Sequence, residues 1–263
     1  MRSILMTENT LTKSQWAGSQ VPVEGAKLYV EQHGSGEPLI CLHNFSANGR
    51  SRFYPLLPIL AEHFRCYLVD LRGHGRSTNE SGEWTHESIS RDIIELSDQL
   101  NLKQSRFLAA SSGAMAMLRV ARYTPQLVQA MVLDSGTYQV PVGSRKYYKD
   151  PESLSSKLKK YYEEASEVYG PAYGPTLAKI FYDFRLPECD INQPLESLRA
   201  ISAPTLLLAG ERDLFFPPEI HRTMAQTIPR SELLIFPETG HIVMEFYPER
   251  VAELTIEFFR RSS

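Results

Sequence analysis

Ser111 is the side chain of this sequence best suited to act as a nucleophile. It follows the apolar run 107–110 and precedes Gly113 and a helix-forming run. Where a strand turns sharply into a helix, a serine at the turn exposes its hydroxyl. Only small residues fit two positions away on either side, because the two backbones nearly touch. Ala109 and Gly113 meet that requirement, although glycine is the usual residue at the first position.

Ser112 is a rival nucleophile in the same turn. Centring the turn on Ser112 places Ala110 and Ala114 at the two small positions, so size alone does not exclude it. Centring it on Ser111 puts a glycine where the turn most needs one. The pattern therefore favours Ser111.

A serine hydroxyl needs a base within hydrogen-bond reach, and that base needs an acid to orient it. His241 is the best base, because its loop lies between the last predicted strand and the last predicted helix. Asp213, in the turn after a Leu-rich strand, is the favoured acid. Glu211 in the same turn and Asp134 at another strand end are alternatives, with Asp134 the stronger. Other histidines are predicted near helix ends on exposed faces: His63, His86 and His221.

The oxyanion formed in acyl transfer needs two hydrogen-bond donors. The sequence predicts the backbone N–H of Ser112 as one donor and that of Phe45 as the other. Asn44 stands where a glycine is expected, and His43 is interpreted as a structural hydrogen-bonding residue. The candidate substrate-binding residues are Asn44, Phe45 and Tyr138.

Composition excludes several other kinds of function. The net charge of −3 gives no reason to expect nucleic acid or an anionic membrane as a partner. Three scattered cysteines form neither a disulfide framework nor a metal-ligand spacing, so we expect no metal and no cofactor. Residues 1–10 lack a secretion signal and no run is long enough to span a membrane, which predicts a cytoplasmic location. The sequence leaves monomer and homodimer undecided.

Short apolar strands alternate with amphipathic helices along most of the chain. This alternation predicts an α/β protein with a mostly parallel, eight-stranded-type sheet and helices on both faces. The predicted strands include a hairpin within 21–32 and 38–43, 66–70, 106–110, 127–134, 205–209 and 232–236. The predicted helices are 54–62, 88–100, 113–123, 218–227 and 248–260.

One block interrupts this alternation. Residues 138–200 show no clear strand and carry 8 of the 13 tyrosines, together with several prolines. We expect an inserted helical cap over the carboxyl edge of the sheet, where open α/β sheets bind ligands. The predicted organisation is a core of residues 1–137 and 201–263 with a cap of residues 138–200.

These motifs resemble the α/β-hydrolase fold superfamily, in particular its compact serine esterase and lactonase-like members with a helical cap. The resemblance covers about residues 21–260. Its carriers are His43-Asn44-Phe45, the Asp70-Leu71-Arg72-Gly73-His74-Gly75-Arg76-Ser77 loop, the Ser111 turn, Gly210-Glu211-Arg212-Asp213 and Gly240-His241. It implies Ser111, Asp213 and His241 as a triad, with Phe45 and Ser112 as oxyanion donors.

The resulting expectation is a serine hydrolase that cleaves a carboxylic ester or lactone with a bulky apolar body. The fold also hosts other chemistries. A carbon–carbon bond hydrolase is one alternative; it would need polar groups to steer a ketone, and Arg145, Lys146 and Lys149 are candidates. A ligand receptor with slow turnover is another.

Overall fold

The computed structural model describes residues 18–169 and 173–262. The segment 1–17 lies outside the described residues, so the absence of a secretion signal stays a prediction from sequence. Pro171, one of the prolines in the block 138–200, also lies outside them.

Eight strands form one sheet in the order β1-β2-β4-β3-β5-β6-β7-β8. The first two strands form a hairpin around Gly25, which has a φ of +71°. β1 pairs antiparallel with β2, β2 pairs antiparallel with β4, and the remaining pairs are parallel. The predicted, mostly parallel sheet is therefore confirmed. The strands are β1 Gly18–Val23, β2 Ala26–His33, β3 Glu37–Leu42, β4 Phe64–Val69, β5 Ser105–Ala110, β6 Val128–Asp134, β7 Thr205–Gly210 and β8 Ser231–Phe236.

Helices cover both faces of this sheet, also as predicted. One face packs against α3, α4 and α7, and the other against α1, α2 and α8. The helices are α1 Gly49–Phe53, α2 Leu57–Leu60, α3 His86–Gln99, α4 Ser112–Tyr123, α5 Ser156–Tyr169, α6 Tyr173–Asp183, α7 Pro218–Thr227 and α8 Pro248–Arg261. Short 3-10 segments are Pro125–Leu127, Val142–Tyr147, Pro151–Ser153, Leu195–Ala200 and Val243–Glu245.

The central strands are buried on both faces. Along β5, Phe107 and Ala109 join the core beneath α3 and α4, whereas Leu108 and Ala110 join the core beneath α8. This alternation follows from the two-residue period of a strand, and it explains why the strands read as continuous apolar runs. The nucleophile turn is thus carried by a strand with apolar packing on both sides.

The chain between β6 and β7 contains α5, α6 and three of the 3-10 segments. No strand occurs between β6 and β7 in the part of the chain that the structure describes. We call residues 138–200 the inserted segment. Its α6 buries Leu177 and Ala178 in the same core as α3 and α4.

The single helix predicted over residues 54–62 is wrong. The structure has two short helices, of which α1 ends at Phe53 and α2 begins at Leu57. Asn48 starts α1 with a capping box, in which its side chain accepts the N–H of Ser51 and the Ser51 hydroxyl accepts the N–H of Asn48. Such reciprocal capping fixes a helix start independently of apolar spacing.

Candidate active site

Ser111 occupies a strained turn between β5 and α4. Its backbone has φ 46° and ψ −110°, a conformation that side-chain-bearing residues rarely adopt. Its N–H donates to the carbonyl of Asp134 at 2.8 Å. A Cβ atom at Gly113 would lie 2.6 Å from the carbonyl oxygen of Leu42, so only glycine fits there. The small residue that the sequence analysis required is thus explained by the close approach of α4 to β3.

His241 and Asp213 meet at Ser111. The His241 Nε2 atom is 3.1 Å from the Ser111 hydroxyl, and its Nδ1 atom is 2.7 Å from Asp213 Oδ2. A neutral imidazole with its proton on Nδ1 donates to the carboxylate and leaves Nε2 free to accept from the serine. Ser112, the rival nucleophile, makes no hydrogen bond to His241. The structure therefore brings together the three residues favoured from sequence.

The Asp213 carboxylate is buried and held by its own loop. Its Oδ1 atom accepts the backbone N–H groups of Phe215 and Phe216 at 2.8 and 3.0 Å. Burial alone would raise the pKa of Asp213, but the charge and hydrogen bond of His241 lower it, and the net result is a pKa below the ordinary value. The carboxylate thus stays ionised beside the imidazole.

The two alternative acids are engaged elsewhere. Asp134 accepts hydrogen bonds from the N–H groups of Val243 and Met244, at 2.9 and 2.8 Å, and from the Ser135 hydroxyl. It anchors the 3-10 segment that follows His241 rather than contacting the imidazole. Exposed Glu211 accepts the backbone N–H of Glu238 at 2.9 Å. Neither carboxylate is hydrogen-bonded to His241.

The two predicted oxyanion donors border the same cavity as Ser111. Neither the N–H of Phe45 nor that of Ser112 has an acceptor among the residues that the structure describes, so both can donate to a ligand. His43 sets the loop behind Phe45: its Nδ1–H donates to the Asn44 carbonyl at 2.7 Å, and its Nε2 accepts the N–H of Leu71 at 2.9 Å. Burial lowers the pKa of His43 well below its ordinary value, which keeps the ring neutral for this structural role.

The Asn44 side chain belongs to a partly buried hydrogen-bond network. Its Oδ1 accepts from Arg52 Nε at 2.7 Å, and its Nδ2 donates to the carbonyl of Phe45 at 2.7 Å. Arg52, itself buried, also donates to Glu245 at 2.8 Å. The network therefore joins the Phe45 loop, helix α1 and the segment after His241. The Asn44 amide, which stands where a glycine was expected, makes two of the hydrogen bonds in this network.

Aromatic and aliphatic side chains enclose a cavity of about 70 Å³ at Ser111. Two predicted substrate-binding residues, Asn44 and Phe45, line it. Tyr138 does not line it; its ring is buried in the core, and its carbonyl accepts the N–H of Gln193. The remaining lining residues are Ser111, Ser112, Met115, Tyr148, Phe181, Phe184, Ile191, Phe215, Phe216 and His241.

Several of these lining residues were not named from sequence. Tyr148 lies within the tyrosine-rich block, Phe181 and Phe184 share one side of the chain at the end of α6, and Phe215 follows Asp213 by two positions. The sequence shows that these residues are aromatic, but it does not indicate that they line the same cavity. Spacing within one segment cannot indicate which residues of a distant loop it will meet.

The described residues contain no group of three or more His, Cys, Asp or Glu side chains that could hold a metal ion. No helix within 18–169 or 173–262 combines the length and apolar character needed to cross a bilayer.

The chain is similar to known hydrolases in sequence and in fold. The chain is 26% identical to an uncharacterized hydrolase, YugF, of Bacillus subtilis (strain 168), with 90% of this chain and 96% of that protein covered. Its fold is similar to that of a thermophilic esterase from Thermogutta terrifontis (TM-score 0.76, 22% identity, 94% and 99% covered). It is also similar to a meta-cleavage product hydrolase from Pseudomonas fluorescens IP01 (TM-score 0.75, 19% identity, 94% and 98% covered).

The family model described as "Alpha/beta hydrolase family" matches residues 33–254, which include Ser111, Asp213 and His241. That range runs from the end of β2 into α8 and spans the whole parallel part of the sheet. The chain belongs to the alpha/beta hydrolase family.

Proposed function

We propose that this protein is a serine hydrolase that cleaves a carboxylic ester or lactone. The observation that carries the proposal is the continuous hydrogen-bonded line from Ser111 through His241 to Asp213. It lies beside two backbone N–H groups that have no acceptor within the described part of the chain. This arrangement supplies a nucleophile, a base, an orienting acid and two oxyanion donors within one cavity.

In the proposed reaction, the Ser111 oxygen attacks the acyl carbon and its proton passes to His241 Nε2. The N–H groups of Phe45 and Ser112 stabilise the negative charge that develops on the carbonyl oxygen. Collapse of this intermediate breaks the bond to the leaving oxygen, which takes the proton from His241. Water then attacks the acyl-enzyme with His241 as base, and the acid and free Ser111 are released.

The surroundings of the triad support a substrate with an apolar body. We propose that the inserted segment, 138–200, acts as a cap, because Tyr148, Phe181, Phe184 and Ile191 from this segment line the cavity at Ser111. A small molecule is the expected partner. Pockets lined by apolar rings with a few polar groups are typical of such ligands.

The carbon–carbon hydrolase alternative needs polar side chains that would steer a ketone, and the described cavity lining contains no Lys or Arg for this purpose. The basic residues suggested for steering a ketone, Arg145, Lys146 and Lys149, are not among the cavity-lining residues. The similarity to a meta-cleavage product hydrolase is one of fold. The slow receptor alternative differs in rate, so turnover is the quantity that separates it from the proposal.

The test compares hydrolysis of p-nitrophenyl esters and aromatic lactones by the native protein and by Ser111→Ala. We expect turnover by the native protein, covalent labelling of Ser111 by a fluorophosphonate, and loss of both in the variant. Ser112→Ala is the matched control and should keep its label, because the Ser112 hydroxyl makes no bond to His241. A folded native protein that neither turns over any ester nor takes the label would refute the proposal.

A further inference from the structure

The Tyr148 hydroxyl is the unusual polar group of the cavity at Ser111. Tyr148 is 4% exposed and lines this cavity, yet its hydroxyl has no hydrogen-bond partner among the described residues. The hydroxyl is not among the fully buried polar atoms that lack a partner, so it reaches space that a ligand atom can occupy. A hydroxyl without a protein partner gains a hydrogen bond when such a ligand supplies an acceptor. Two other tyrosines of the inserted segment do have a protein partner: Tyr162 lies 3.4 Å from the Ser46 hydroxyl, and Tyr173 donates to the carbonyl of Gly73.

The ring of Tyr148 is held firmly, so its hydroxyl has a fixed place. Its centroid lies 5.2 Å from that of Phe181, 6.1 Å from that of Phe184 and 5.2 Å from that of Phe215. Phe215 in turn lies 5.3 Å from the imidazole of His241. Three aromatic rings thus contact Tyr148, one tilted and two edge-on. A hydroxyl fixed in this way is pre-organised for a ligand atom at one position.

The Asn44 and triad side chains of the cavity are engaged within the protein, and the N–H groups of Phe45 and Ser112 are assigned to the carbonyl oxygen of the ester being cleaved. The Asn44 amide is bonded to Arg52 and to the Phe45 carbonyl, and the triad atoms bond one another. No Lys or Arg is found among the described residues that line the cavity. Burial raises the pKa of Tyr148 well above its ordinary value, so the hydroxyl keeps its proton and can donate. An uncharged acceptor oxygen suits such a donor better than a carboxylate, which would lack a counter-ion.

We infer that Tyr148 determines specificity by donating a hydrogen bond to an uncharged oxygen of the substrate, additional to the oxygens of the ester being cleaved. The preferred substrates are then esters or lactones whose apolar body carries an ether, carbonyl or hydroxyl oxygen. This inference deepens the proposed function. It rests on that function only in treating the bound molecule as a substrate. Polar groups placed to pair with one substrate atom discriminate strongly against analogues that lack the atom.

The experiment measures binding rather than turnover, so that it is independent of the triad. Calorimetry on Ser111→Ala protein compares two pairs of intact esters that differ only by oxygen in place of CH2. Phenyl methoxyacetate and phenyl butanoate place the change in the acyl group; 2-methoxyethyl benzoate and butyl benzoate place it in the alcohol. Each ester is measured with and without Tyr148→Phe, which removes only the hydroxyl.

We expect Tyr148→Phe to weaken binding of the oxygen-bearing member of one pair about tenfold, and binding of its hydrocarbon partner less than twofold. The pair that responds identifies the side of the ester that Tyr148 contacts. Tyr147→Phe is the matched control, because Tyr147 lines a separate cleft of about 580 Å³ and should change neither member. Comparing each ester with itself cancels intrinsic differences in polarity.

Equal weakening of both members, no weakening of either, or no binding of any ester would overturn the inference. The same variants in the native background give kcat/KM as a second readout. Differential binding without any turnover by the native protein would refute the proposed function and leave the Tyr148 assignment standing. Turnover that requires Ser111, without differential binding, would support the proposed function and refute the assignment of Tyr148.

Discussion

At the scale of single residues, two aspartates at strand ends have opposite uses. Asp213 gives one oxygen to His241 and the other to its own loop, whereas Asp134 gives both oxygens to groups that hold the segment after His241. Sequence position made both residues candidates for the acid. The direction in which each loop folds decides between them, and a strand-end position does not contain that information.

Separate asparagine variants should divide these roles. We expect Asp213→Asn to lower kcat by two orders of magnitude or more with little loss of stability, because the imidazole loses its orienting charge. Asp134→Asn should instead lower the free energy of unfolding by about 1–3 kcal/mol, since buried N–H donors lose acceptors. Ester turnover and urea unfolding of both proteins measure this. A larger loss of kcat in Asp134→Asn would contradict the assignment.

At the scale of elements, the longest periodic segments were predicted well, and the short helices were not. The predicted helices at 113–123 and 218–227 match α4 and α7, because their apolar spacing repeats over several turns. The split into α1 and α2 was missed, since four- and five-residue helices present too few positions for a period. The N-cap residues Asn48 and Thr85 marked helix starts that apolar spacing could not locate.

Helix α1 supports the Phe45 loop through the hydrogen bond from Arg52 to Asn44. We expect Arg52→Met to lower kcat about tenfold while KM stays nearly constant, because Asn44 loses the bond that fixes its amide beside the oxyanion donor. Steady-state kinetics with a p-nitrophenyl ester measure both constants.

Arg50→Met is the matched control for that variant, on the same helix. Arg50 pairs with Glu31 on β2, away from the Phe45 loop. Its loss should reduce stability without the selective change in kcat. If both variants reduced kcat equally, Arg52 would be a structural residue of α1 and not a positioning residue of the site.

At the scale of the whole molecule, the inserted segment is anchored to the core by Asp190. Its carboxylate accepts the backbone N–H of His86 at the start of α3 and lies 3.0 Å from His86 Nδ1. Sequence placed His86 and His221 on exposed faces, and that expectation is wrong: both are fully buried. Helix-end position suggested exposure, but tertiary packing covers both histidines.

This anchor predicts a specific dependence of stability on pH. Burial would raise the pKa of Asp190, but His86 and Arg119 outweigh it and lower the pKa to about 2. A carboxyl group with a depressed native pKa stabilises the fold above its ordinary pKa near 4 and loses that effect as pH falls to 2. We expect Asp190→Asn to cost about 2 kcal/mol at pH 7.

Urea unfolding of the native protein and of Asp190→Asn between pH 2 and pH 7 measures the difference in their free energies of unfolding. It should be constant above about pH 5 and shrink steadily toward pH 2. Asp183→Asn, also in the inserted segment, is the control. It should show little difference at any pH, because the Asp183 carboxylate is partly exposed and its ion pair with the exposed Lys179 contributes little. A difference for Asp190→Asn that did not vary with pH would contradict the electrostatic explanation.

The backbone of Ser111 links durability to reactivity at a single residue. A residue with a side chain rarely adopts φ 46° with ψ −110° in the unfolded chain. Holding Ser111 in this conformation therefore lowers the free energy of unfolding of the native protein. The apolar packing on both faces of β5 must offset this cost and keep the turn in its strained conformation. A variant with an unstrained backbone at residue 111 would be more stable to heat but would no longer project the serine hydroxyl into the cavity. Selection for stability and selection for catalytic activity therefore act in opposite directions at this residue.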